Sequence, residues 1–124
     1  MSAIAICVNP MSGRDVRRLA ARATNMTHEA KRDIVARIAA GADSIGVNEI
    51  YIVDEPFRIA SMALDWMPLK AKVVRLGIEL HHDASDTERA VQAFVGEGVE
   101  VIVSLGGDGT NRVIARSAPQ VDLI

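Results

Sequence analysis

Short apolar segments rich in β-branched residues alternate along this chain with longer segments of helical periodicity. Such alternation is typical of an α/β domain with a parallel sheet. The expected strands are Ala3–Val8, Glu49–Val53, Ala71–Leu76 and Glu100–Leu105, and a fifth is expected to begin in Val121–Ile124. A chain of 124 residues can bury one hydrophobic core, so we expect a single domain.

The apolar pattern also predicts where individual strands lie in the sheet. The first and fourth strands are almost continuously hydrophobic, as strands covered on both faces are. The third contains Lys72 and Arg75, which places it nearer an edge. The connections are long enough to form right-handed crossovers that cover the sheet. The prediction is a three-layer α/β domain with a parallel sheet of four to five strands.

The connections between the strands carry helix signals. A polar break at residues 24–27 is expected to divide the first connection into a short helix and a longer one, which Gly46 ends. Pro56 is expected in the first turn of the helix in the second connection. Ser85–Glu88 fits the capping box of the helix in the third connection. The apolar face of the longer first helix is predicted to contain Ile34, Val35, Ile38, Ala42 and Ile45.

Charge and aromatic content argue against nucleic acid and membranes as partners. The 14 basic and 16 acidic side chains leave a net charge of −2, whereas both partners usually need a basic excess. The apolar segment Ile4–Val8 is too short for a secretion signal or a membrane span. The aromatic residues are too scattered for base stacking: Tyr51, Phe57, Trp66 and Phe94. We expect a cytoplasmic protein that binds small molecules.

The cysteine and the adjacent histidines have simple structural interpretations. Cys7 is the single cysteine and cannot form an internal disulfide, which fits a reducing compartment. It lies in a covered strand without a histidine placed to activate it, so we expect a small buried hydrophobic residue. His81 and His82 lack the one-face spacing of helical zinc sites and are expected in a surface loop. No set of side chains is assigned to a metal ion.

A glycine-rich loop between the fourth strand and a helical segment at 112–117 is the most informative part of the sequence. It reads Gly106, Gly107, Asp108, Gly109, Thr110 and Asn111. Ligands of open parallel sheets bind beyond the carboxyl ends of the strands. A loop that opens a helix there offers backbone N–H groups and the positive end of the helix dipole to an anion. Glycines also let a phosphate approach the backbone closely, so we expect phosphate binding.

Asp108 does not fit simple anion binding, because a carboxylate repels phosphates. It is expected either to hold a magnesium ion or to accept a proton from an attacking hydroxyl. Thr110 and Asn111 are expected to cap the helix or to contact a phosphate. The alternative is an ordinary tight turn, with Asp108 as a turn former and Thr110 as the N-cap. A P-loop is excluded by the missing Gly-Lys-Ser/Thr ending, and a G-x-G-x-x-G that starts at Gly107 fails at Arg112.

These residues resemble the NAD kinase and diacylglycerol kinase-like superfamily, which carries a GGDGT loop after a central strand of a flavodoxin-like N-terminal domain. The matching segment here is Gly106–Thr110. Asn9–Gly13 (NPMSG) follows the first strand and resembles the superfamily's NPxSG turn. Together with residues 14–19, these segments look most like the NAD-kinase-like proteins associated with acetoin catabolism. Phosphofructokinases carry a similar GGDG loop, but their first-strand loop is a second glycine-rich motif.

The resemblance implies a flavodoxin- or Rossmann-like fold and phosphoryl transfer from ATP, with Mg²⁺, to a hydroxyl. In NAD kinases the acceptor is the ribose 2′-hydroxyl of NAD, and the product is NADP. By resemblance, Asp108 would orient or deprotonate the acceptor hydroxyl. The residues that would bind the nucleotides are Asn9, Ser12, Gly13, Gly106, Gly107, Gly109, Thr110 and Asn111. A homodimer or higher oligomer is also implied.

NAD kinases continue into a β-rich second domain that grips the dinucleotide. We expect residues 1–124 to form the N-terminal nucleotide-binding domain, with the β-rich domain absent from this chain. Two alternatives follow: a nucleotide-binding or interaction module without turnover, and a lipid kinase related to diacylglycerol kinase. Arg14, Arg18 and Arg22 share one helical face. They form either a basic rim for nucleotide phosphates or, as we favour, a solvated face.

Overall fold

The computed structural model describes residues 2–9, 27–55, 58–81, 85–106 and 108–124. In these ranges five strands alternate with four helices. The elements are β1 (Ala3–Val8), α1 (His28–Ser44), β2 (Glu49–Val53), α2 (Ile59–Leu64), β3 (Lys72–Leu76), α3 (Ser85–Gly96), β4 (Val101–Leu105), α4 (Asp108–Ser117) and β5 (Asp122–Leu123). Within these ranges the predicted order of strands and helices is confirmed, and the first two strands have the predicted bounds. The short helix predicted ahead of the polar break at residues 24–27 lies outside the described residues.

The strands form one parallel sheet in the order β3-β2-β1-β4-β5. This order is that of a Rossmann sheet, which confirms the predicted fold class. The predicted interior positions of the first and fourth strands and the edge position of the third are confirmed as well. The β1–β4 register runs from Ile4 beside Val101 to Val8 beside Leu105. The carboxyl ends of these two strands are therefore level.

Two hydrophobic clusters cover the two faces of the sheet, because alternate residues of a strand point to opposite faces. In β1, Ile6 and Val8 belong to one cluster and Ala5 and Cys7 to the other. The first cluster includes buried residues of α1 and α2, and the second includes buried residues of α3 and α4. The predicted three layers are thus helices, sheet and helices.

Helix α1 begins at the end of the predicted polar break, where the Thr27 hydroxyl accepts a hydrogen bond from the Ala30 N–H at 3.0 Å. Its most buried face consists of Lys31, Val35, Ala39 and Ala42. The prediction that Ile45 belongs to this face is wrong, because the helix ends at Ser44 and Ile45 is 82% exposed. Gly46 follows with a φ of 91° and turns the chain toward β2.

The starts of helices α2 and α3 can also be compared with the prediction. Helix α3 begins with Ser85 as its first residue, whereas the predicted capping box would place Ser85 one position before the helix. In its first turn the Asp86 carboxylate accepts a hydrogen bond from the Arg89 guanidinium at 2.6 Å. Helix α2 begins at Ile59, after Arg58 in the left-handed region, whereas the predicted start at Pro56 lies outside the described residues. Among the described helices, none is long and apolar enough to cross a membrane.

Candidate functional site

The carboxyl ends of β1 and β4 form the switch point of the sheet. From β1 the chain winds outward through β2 to β3, and α3 then carries it back across to β4 on the other side of β1. A crevice opens where the two directions of winding diverge, and this is where open α/β sheets bind ligands. Asn9 follows β1 here, and its N–H donates a hydrogen bond to the Leu105 carbonyl at 3.2 Å.

A hydrogen bond joins the two segments that the sequence singled out. The Asn9 side-chain Nδ2 donates to Thr110 Oγ1 at 2.9 Å, between residues 101 positions apart in the chain. Thr110 is only 8% exposed, so its hydroxyl is held in place beneath the surface. The structure thus brings Asn9 and Thr110, two of the predicted site residues, into direct contact at the switch point.

Helix α4 begins at Asp108, so Gly109, Thr110 and Asn111 lie in its first turn. The predicted start at residue 112 is therefore wrong, and so is the alternative in which Thr110 is the N-cap. The glycines suggested a loop, yet Gly109 already lies in the helix. The first N–H groups of a helix have no acceptor within it, so this end of α4 offers donors at the carboxyl edge of the sheet. The Asp108 side chain lies outside the described part of the structure.

Asn111 and Gly106 tie this helix to β4. The Asn111 Oδ1 accepts a hydrogen bond from Ser104 Oγ at 2.6 Å. A Cβ atom at Gly106 would lie 2.7 Å from the Thr110 Cβ and 2.9 Å from its Oγ1, closer than side-chain atoms pack. Gly106 is therefore required by the close approach of Thr110. At Gly109, by contrast, a Cβ atom would meet nothing within 4 Å.

Lys31 belongs to this site and was not predicted from the sequence. Its Nζ donates a hydrogen bond to the Asn9 carbonyl at 3.0 Å, and the residue is only 1% exposed. The signal was present in the helical pattern, because Lys31 lies one turn before the buried Val35. A lysine on the apolar face of a helix is the kind of residue that sequence reasoning should single out.

Glu55 is a second buried charged residue that was not predicted. It follows β2, is 5% exposed, and its carboxylate accepts a hydrogen bond from the Ile59 N–H at the start of α2. Burial raises the pKa of Glu55 above its usual value, and nearby Asp54 adds to the effect, while backbone N–H groups including that of Ile59 oppose it. An acid in the segment that follows a strand resembles an ordinary loop residue, so the sequence carried no signal for its burial.

The prediction that Cys7 is a small buried residue is confirmed. It is 3% exposed, and burial raises the pKa of its thiol to about 12, with a smaller contribution from the negative charge of Glu55. The thiol therefore stays protonated at neutral pH and is a poor nucleophile. His81 lies in an exposed segment, with its Nε2 at 3.2 Å from Glu79 Oε1.

Several predicted residues lie outside the described residues: Ser12, Gly13, Gly107, His82 and the three arginines at 14, 18 and 22. In the ranges that the structure does describe, no group of three or more His, Cys, Asp or Glu side chains could hold a metal ion.

Known protein families and proteins resemble this chain over nearly its whole length. The sequence profile described as "ATP-NAD kinase N-terminal domain" matches residues 4–123. The chain belongs to the NAD kinase family. It is also similar to acetoin catabolism protein X of Cupriavidus necator, at 29% identity over 138 aligned residues. The alignment covers 97% of this NAD kinase-like chain and 35% of that protein, so the chain spans about a third of the length of its relative.

Proposed function

We propose that this chain is the nucleotide-binding domain of a phosphotransferase that moves a phosphoryl group from ATP to the ribose 2′-hydroxyl of NAD. Membership of the NAD kinase family supports phosphoryl transfer as the reaction class. The observation that carries the proposal is the 2.9 Å hydrogen bond between Asn9 and Thr110. It joins the first-strand segment and the GGDGT segment at the switch point of the sheet, where nucleotides bind in folds of this kind.

The phosphates of ATP are proposed to lie against the first turn of α4. The backbone N–H groups there are unpaired within the helix, and the helix dipole favours an anion. The open space around Gly109 fits a phosphate that approaches the backbone closely. Gly106, Gly107 and Asn111 are proposed to shape the same loop, and Ser12 and Gly13 to complete the site from the β1 side.

Asp108 is proposed to orient the acceptor hydroxyl and to accept its proton. The hydroxyl oxygen then forms a bond to the terminal phosphorus of ATP while the bond from that phosphorus to the ADP oxygen breaks. Mg²⁺ bound with ATP supplies charge neutralisation on the phosphates. Since the chain spans 35% of its relative, further contacts to the dinucleotide are proposed to come from residues beyond those in this chain.

The reaction can be tested directly with the longest available form of the protein. Incubation with NAD, ATP and Mg²⁺ is expected to produce NADP, detected with an NADP-specific dehydrogenase. Asp108→Asn is expected to lower turnover about 10²- to 10⁴-fold, because a general base contributes that much, while ATP affinity stays nearly unchanged. Asp122→Asn, an exposed acid in β5, is the control and should retain activity.

The results separate the candidate functions. ATP binding without NADP formation would reject NAD as the acceptor and favour a binding module or a kinase of another hydroxyl compound. A diacylglycerol assay with radiolabelled ATP distinguishes these two. Turnover by Asp108→Asn equal to that of the wild type would reject the proposed role of Asp108.

A further inference from the structure

Lys31 occupies a place in α1 that a lysine rarely takes. It is the fourth residue of the helix, is 1% exposed, and lies on the face that packs against the sheet. Lysine is almost never buried to this degree without a partner, and a cation near a helix N-terminus opposes the helix dipole. Methionine or leucine would fill the same space in the core without either cost. What the lysine adds must therefore come from its ammonium group.

The ammonium group reaches the end of β1. Lys31 Nζ donates a hydrogen bond to the Asn9 carbonyl at 3.0 Å, across 22 positions in the chain. The Asn9 main-chain N–H is bonded to Leu105 of β4, and the Asn9 side chain is bonded to Thr110 of α4. Lys31 thus holds the residue that links the ends of β1 and β4 to the first turn of α4.

We propose that Lys31 is a positioning residue of the nucleotide site, and that it acts by fixing the main chain of Asn9. The hydrogen bond from Lys31 holds the Asn9 carbonyl, and in this position the Asn9 side-chain amide donates to Thr110. Thr110 in turn packs against Gly106, so the start of α4 is held where the phosphates are proposed to lie. The inference rests on the proposed function, because it assigns Lys31 a part in the same site.

The first test needs no nucleotide. Lys31→Met keeps an unbranched, apolar side chain only one atom shorter but removes the charge and the hydrogen-bond donors. In ¹⁵N- and ¹³C-labelled protein, we expect the variant to shift the Asn9 side-chain amide and Thr110 methyl resonances, with Phe94 on the opposite face unchanged. Lys72→Met, on the exposed edge of β3, is the matched control and should move neither signal.

The second test measures the effect on ATP. Lys31→Met is expected to raise the Kd and KM for ATP roughly tenfold, the size of effect typical for a lost charged hydrogen bond, with kcat at saturating ATP changed less than about threefold. Lys31→Arg retains charge and donors and is expected to restore most of the affinity. Asn9→Ala combined with Lys31→Met is expected to weaken ATP binding no further than Asn9→Ala alone, because both act through one contact.

The two proposals fail in different ways. A wild-type protein that does not bind ATP overturns the proposed function. A wild type that binds ATP, with a Lys31→Met variant that binds it equally well, overturns the role of Lys31 alone. Unchanged Asn9 and Thr110 resonances in Lys31→Met also overturn it. A variant that loses stability and affinity together, without rescue by arginine, identifies Lys31 as a purely structural residue and overturns the proposal.

Discussion

At the scale of single residues, Glu55 is a buried acid whose ionisation opposes folding. Burial raises its pKa above the usual value of 4.5, so the folded state binds the proton more tightly than the unfolded state. The contribution of Glu55 to stability is therefore fully present below pH 4.5 and is lost as the pH rises through the folded-state pKa. The bond from the Ile59 N–H offsets only part of this effect.

The loss of stability when Glu55 ionises gives a prediction for Glu55→Gln. The amide cannot ionise, so the variant should lack the fall in stability that Glu55 causes above pH 4.5. We expect the unfolding free energy of the wild type minus that of the variant to decrease steadily as the pH rises from about 4 to 8. Urea denaturation at several pH values measures it, with the exposed Glu97→Gln as control. A constant or increasing difference would contradict the raised pKa.

The predictability of individual residues depended on their neighbours in sequence. Asn9 and Thr110 could be singled out because each lies in a recognisable segment after a strand, and the structure places them in contact. Lys31 and Glu55 were not predicted, because their burial depends on packing beside strands distant in sequence, and charged residues are usually exposed. The helical pattern does place Lys31 on the apolar face of α1, whereas no pattern in the sequence indicates the burial of Glu55.

At the scale of elements, the start of α4 was the main error. The pattern of glycines in Gly106–Gly109 resembles a loop, since glycine disfavours helices by about 1 kcal/mol relative to alanine. Tertiary packing overrides that preference here, as Thr110 contacts both Asn9 and Gly106 and so fixes the first turn. Strand bounds were easier to predict, because buried parallel strands carry continuous apolar segments.

Two glycine substitutions separate packing from function in α4. Gly109→Ala places a Cβ in open space and should stabilise the fold by up to about 1 kcal/mol through helix propensity. The same methyl group should weaken ATP binding, because it stands where a phosphate is proposed to approach the backbone. Gly106→Ala should instead destabilise the fold by about 1–3 kcal/mol through overpacking against Thr110.

Thermal denaturation and ATP titration of both variants measure these effects. Gly96→Ala, at the end of α3, is the control for an added methyl group away from the site. A Gly109→Ala variant that is more stable and binds ATP as well as the wild type would contradict close approach of a phosphate at Gly109. A Gly106→Ala variant as stable as the wild type would contradict the tight contact with Thr110.

At the scale of the whole molecule, the strand order follows from the sequence better than the site does. Continuous apolar character placed the first and fourth strands inside the sheet, and Lys72 and Arg75 placed the third at an edge. That order alone creates a switch point between β1 and β4. The pairing of the two strands then determines that Asn9 and Gly106, far apart in sequence, follow level strand ends.

The switch point predicts which amides nucleotide binding protects from hydrogen exchange. The Asn9 amide, which is bonded to Leu105, and the first-turn amides of α4, which the phosphates are proposed to cover, should both slow about a hundredfold at ATP concentrations of about 100 times Kd, because only the nucleotide-free fraction then exchanges. Amides at residues 77–81, which follow the edge strand β3, should not slow through local opening. Exchange measured by NMR or mass spectrometry with and without ATP–Mg²⁺ tests this. Protection confined to residues 77–81 would place the nucleotide beyond β3 and reject the crevice between β1 and β4.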